Sequence, residues 1–137
     1  MILDPAVDLA TPATGRPARL IVVADHRPGT HRTDSVEVGW WLPVIGPTST
    51  ILARTLAHRA RRADTEWDTA DLARRVGLGN SVTRLWVSLD RLHTFCCVTF
   101  VSTDVATVRL ELPTLTPNQL NHLPTDMAET YRERFLA

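Results

Sequence analysis

The chain contains no lysine: all 15 basic residues are arginine, balanced by 15 acidic residues to a formal net charge of zero. Codon bias in a GC-rich genome is the plain reading of this absence. Its chemical consequence is that every cation here can fork two N–H groups onto a phosphate or a guanine edge, where lysine would offer a point charge. A neutral total argues against coating nucleic acid without regard to sequence, but not against a basic face for a specific site. Cysteine is scarce as well, with only Cys96 and Cys97. Adjacent residues in a strand point to opposite faces, so these two do not bridge each other, and a disulfide scaffold is excluded. No apolar run is long enough to span a bilayer, and no basic segment followed by an apolar run opens the chain. A soluble cytoplasmic protein is expected, with no membrane partner.

Motifs for catalysis are missing too. Gly77-Leu78-Gly79 lacks the lysine and the preceding strand of a phosphate-binding loop. No paired carboxylates stand at a fixed spacing. His93 with Cys96 and Cys97 falls short of the four convergent ligands of a structural zinc site, and His26, His31, His58 and His122 are scattered. Nothing predicts a lowered thiol pKa for a Cys–His nucleophile. One cysteine is expected to be buried as a small hydrophobe and the other to lie near the surface. The expectation is a non-enzyme without cofactor or metal.

What is present is ordinary for a folded domain: 137 residues, 44% hydrophobic and 22% charged, enough to bury a core unaided. Residues 1–18, with Pro5, Pro12, Gly15 and Pro17, read as a flexible leader. Residues 19–47 read as an extension packing on the core. It holds a short strand at 19–24, a polar loop from Asp25 to Asp34, and Trp40-Trp41, which calls for burial. Gly46-Pro47-Thr48 starts a helix running to about Arg62, with Ile51, Leu52 and Leu56 on one stripe. Arg59, Arg61 and Arg62 at its end either complement the helix dipole or meet phosphate. Thr65–Asp68 suits a short strand. A second helix follows, capped by Thr69, with Leu72, Ala73 and Val76 inward, Arg74 and Arg75 outward, and Gly77 as a left-handed terminator.

Asn80 or Ser81 caps a third helix. Val82, Leu85, Trp86, Leu89 and Leu92 face the core. Thr83, Arg84, Val87, Ser88, Asp90 and Arg91 face out. From Cys96 the period changes to two, giving a hairpin with Val108, Leu110 and Leu112 inward and Arg109 and Glu111 outward. Residues 113–137 form a helical extension. Its stripe Met127, Tyr131 and Phe135 either docks on the domain or pairs with a second copy.

The phrase Asp71-Leu-Ala-Arg-Arg-Val-Gly-Leu-Gly79, then Ser81 to Leu92, then the hairpin, resembles the winged helix-turn-helix of bacterial regulators. The resemblance covers residues 48–112. It implies an α+β fold of three helices with a two-stranded wing, a homodimer on double-stranded DNA, and transcription regulation. It places helix 81–95 in the major groove. Thr83, Arg84, Val87 and Ser88 would then meet bases, and Arg74, Arg75, Asn80, Ser81 and Arg91 phosphates. Residues 48–95 carry eight arginines and five acids, a local excess of 8 − 5 = 3 positive charges. Asp90 on the outward side and a hairpin tip, Ser102-Thr103-Asp104, without a cation instead favour an adaptor that binds another protein. The terminal helix is the candidate dimer contact.

Overall fold

The computed structural model describes residues 16–136, and the chain is a mixed α+β fold. Strand β1 spans Arg19–Asp25 and β2 His31–Arg32. A 3-10 turn at Val36–Trp41 leads into α1, Leu42–Ile45, and then α2, Pro47–Ala60. Strand β3 (Thr65–Asp68), helix α3 (Thr69–Arg75) and helix α4 (Val82–Thr94) follow. Strands β4 (Val98–Phe100), β5 (Val105–Arg109) and β6 (Glu111–Leu112) precede α5 (Pro117–Leu120) and α6 (Thr125–Tyr131). A π-helical turn, Arg132–Leu136, ends the described chain. No helix among the described residues is long and apolar enough to cross a membrane.

The four-stranded sheet has the order β3-β1-β5-β4. Strand β1 therefore lies inside it, antiparallel to β3 and parallel to β5. The pleat sets one face: Leu20 sits opposite Trp67, Val22 beside Ala106, and Val98 opposite Val108. All six are buried. Helix α2 covers this face with Leu52, Ala53, Leu56, Ala57 and Ala60. Helix α4 closes the layer with Leu85, Leu89 and Leu92. Each of these leucines removed from water is worth roughly 1.5–3 kcal/mol. What the sequence offers as an extension at 19–47 thus supplies an inner strand.

The strand expected as one run to Leu112 changes partners at Leu110. Up to Arg109 it pairs with β1 and β4, and β6 then pairs with β2. Leu110 bridges the two, donating its N–H to Asp25 O and accepting from Thr33 N and from the Arg61 guanidinium. The alternation holds through this break, with Val108, Leu110 and Leu112 buried. Gly29 is required beside it, because a Cβ there would lie 2.6 Å from Leu112 O.

The polar loop expected from Asp25 to Asp34 contains β2 and a fully buried histidine, His31. Its Nε2 lies 2.6 Å from Tyr131 Oη, and its Nδ1 3.0 Å from Glu37 Oε1. Tyr131 Oη also accepts the Leu115 N–H at 2.8 Å. The neutral ring satisfies every group if Nδ1–H donates to Glu37 and the phenol donates to Nε2. Tyr131 is buried, and Met127 and Phe135 pack on the core. Rings of His31, Trp40, Tyr131 and Phe135 meet at centroid distances between 4.7 and 5.7 Å. The stripe of α6 is therefore docked within the chain. Of the two roles the sequence offers this stripe, the described residues show the docking on the domain, with Met127 and Phe135 left partly exposed.

Candidate functional site

Local signals position α3 and α4. Asp68 caps α3, its carboxylate accepting the Asp71 N–H at 3.0 Å. The cap is not Thr69, whose hydroxyl instead donates to Ala18 O at 3.0 Å. Gly77, at φ +85°, ends α3 in the left-handed region. Leu78 N reaches Ala73 O, and Gly77 N reaches Arg74 O. This paired closure satisfies the last carbonyls and turns the chain sharply. Ser81 then caps α4, its Oγ accepting the Arg84 N–H at 3.2 Å.

The outward face of α4 carries most of the residues expected there. Thr83, Arg84, Val87 and Arg91 are exposed, and Asn80 is exposed just before the helix. Ser81 is half-buried; its oxygen is engaged in the cap while its proton remains available. Ser88 is the exception. It is buried against α2, and its carbonyl lies 3.4 Å from Ser49 Oγ. The 3.6-residue repeat places position 88 on the flank that α2 covers, at the edge of the depression that Arg84, Val87 and Arg91 also line. Arg84 and Arg91 line one shallow depression of about 270 Å³ with Val87 and the first residues of α2, Pro47, Thr48 and Ser49.

Arginine partners divide the molecule. Arg19 pairs with Glu66 at 2.9 Å, and Arg27 with Asp25 at 2.7 Å. Arg32 and Arg61 both grip Asp34, at 2.7 and 3.1 Å. Arg61 is thus engaged in the fold, and Arg59 stacks on Trp67. Arg75 pairs with Asp71 one helical turn back, at 2.7 Å. Among the described residues, Arg54, Arg62, Arg74, Arg84, Arg91 and Arg132 make neither an ion pair nor a ring contact, and all six are exposed; three of them stand on α3 and α4.

Asp90, the acid expected to spoil this face, lies 2.7 Å from the Arg16 guanidinium. Arg16 also stacks over the Trp86 ring at 4.8 Å. These contacts fix the described end of the expected leader; residues 1–15 of it lie outside the described residues. No local signal in the sequence links Arg16 to a residue 74 positions away. The hairpin tip 102–104 is exposed, and the Ser102 hydroxyl donates to the Asp104 carboxylate. No cation stands at that tip.

The cysteines separate as expected: Cys96 is exposed and Cys97 buried. Burial, reinforced by its neighbour Cys96, pushes the Cys97 thiol up to about 12, so it is unreactive. His93 Nδ1 lies 3.3 Å from Val98 O, and its ring packs on Phe100, which ties it to the hairpin. Trp41 is buried, and Trp40 is half-buried beneath Arg134. The tryptophan pair therefore forms no exposed patch. In comparisons with protein families, with curated proteins and with solved structures, the chain matches none.

Proposed function

We propose that the protein is a sequence-specific, double-stranded DNA-binding regulator of transcription in the bacterial cytoplasm, with α4 entering the major groove. The observation that carries the reading is the distribution of unpaired charge. Arg19, Arg27, Arg32, Arg59, Arg61 and Arg109 are held by carboxylates, rings or carbonyls, whereas Arg74, Arg84 and Arg91 stand unpaired on α3 and α4; Arg54, Arg62 and Arg132 are also unpaired, on α2, just after it and in the last turn. Holding exposed guanidinium groups without acids has a use when the ligand supplies the anions.

The order α2, β3, α3, α4, β4 and β5 supports a winged helix-turn-helix reading. The departure is β1, which lies between β3 and β5 and keeps those two strands antiparallel in sense. In this reading Arg84, Thr83 and Val87 meet base edges, and Arg74, Asn80, Ser81 and Arg91 meet phosphates. Arg75 joins them by leaving its exposed, water-screened pair with Asp71. Two copies would read a palindromic site.

A second reading, an adaptor that binds another protein, is favoured by Val87, 62% exposed between the two arginines. Selection on a random duplex library separates the two. An enriched motif that the Arg84→Ala, Arg91→Ala double variant fails to enrich supports the regulator. No enrichment by folded protein at low salt sinks it and leaves the adaptor.

A further inference from the structure

We propose that Arg16 is a positioning residue for the DNA-facing surface of α4, which it makes uniformly cationic by neutralising Asp90. The inference rests on the DNA-binding reading above. Asp90 is the only acidic residue in α4, and it follows the exposed Val87 by three positions and precedes Arg91. Its side chain is 49% exposed. Bare, that carboxylate would oppose phosphates held by the neighbouring Arg91, since exposed charges act on one another over about 8 Å in physiological salt.

An exposed ion pair alone is a loose restraint, because water screens it and side-chain entropy opposes it. Arg16 has two further anchors. Its guanidinium lies over the face of Trp86, a ring that is itself buried and stacked on Phe100 of β4. Its backbone enters the sheet three residues later as β1, the inner strand. The guanidinium is thereby held at Asp90 by elements that do not belong to α4. The pairing joins the first described residue to the recognition helix, so the sign of that surface depends on chain far outside it.

The test is the affinity of the full chain for a labelled duplex of mixed sequence at low salt, measured by anisotropy. Arg16→Gln is expected to weaken binding roughly three- to tenfold, since one charge of attraction is lost beside the phosphates. Asp90→Asn should tighten it. The double variant Arg16→Gln, Asp90→Asn should return to within about twofold of the original protein, because the local charge is then restored. Arg16→Lys keeps the charge, guards against a folding defect, and should bind normally. Arg27→Gln makes the same change at the other end of β1 and should have little effect.

Binding by Arg16→Gln equal to that of the original protein overturns the inference. So does a double variant as weak as Arg16→Gln, which would mean that Arg16 acts by holding Trp86. Either result leaves the DNA reading standing, because the original protein binds. If the original protein itself does not bind, the DNA reading fails and the inference falls with it.

Discussion

At the residue scale, Asp34 shows how this fold uses its arginines. Its side chain is 3% exposed. Burial alone would raise its carboxyl, but hydrogen bonds from Arg32 and Arg61 outweigh that and hold it at about 2, below the ordinary 3.8. A carboxyl lowered on folding stabilises the native state above its unfolded pKa. That contribution is lost as pH falls from near 4 towards 2. Its size is of order 2 kcal/mol. Asp34→Asn should therefore lower the melting temperature at neutral pH by an amount that shrinks as pH falls through this window. A variant whose deficit stays constant down to pH 2 would contradict the assignment. Arg61, read in the sequence as a dipole or phosphate residue, belongs to this cluster. Nothing local in the sequence announces that, since Asp34 is 27 positions away.

At the element scale, helices were legible and strand partners were not. The stripes of α2 and α4, the left-handed Gly77 and the Ser81 cap act within a few residues, so periodicity and cap chemistry reveal them. The pairing of Ile21 with Val105 joins segments more than eighty residues apart, and alternation carries no information about partners. The burial of His31 was hidden for the same reason, because its partner Tyr131 lies 100 positions away. Ser88 packs toward α2 rather than outward, which was hidden because the sequence does not say how far α2 wraps around α4. The docking of α6 makes its own prediction. Tyr131→Phe removes the acceptor of the Leu115 N–H and the hydroxyl bonded to His31 Nε2, leaving buried groups unpaired. A loss of roughly 2 kcal/mol is expected, with faster hydrogen exchange at Leu115. An unchanged melting temperature and unchanged Leu115 protection would show that the phenol bonds contribute nothing.

At the scale of the whole molecule, the inner position of β1 decides what folds. A fragment of residues 48–112 retains β3, α3, α4 and the hairpin, but loses the strand that joins β3 to β5. It would expose the edges of two strands and the apolar face that Leu20 and Val22 cover. We expect this fragment to show no cooperative thermal transition, while residues 16–136 unfold in one. A fragment melting as sharply as the full chain would mean that β1 is dispensable.

The central claim, that the unpaired arginines of α3 and α4 serve a polyanion, is tested most directly by the salt dependence of duplex binding. Each phosphate contact contributes about −0.9 to the slope of log affinity against log salt. The full chain should bind with a steep negative slope. Replacing Arg74, Arg84 and Arg91 together by alanine should make that slope shallower by roughly 2 to 3 while the protein stays folded. Binding with the same slope in the triple variant, or no binding by the folded original protein at low salt, would contradict the account.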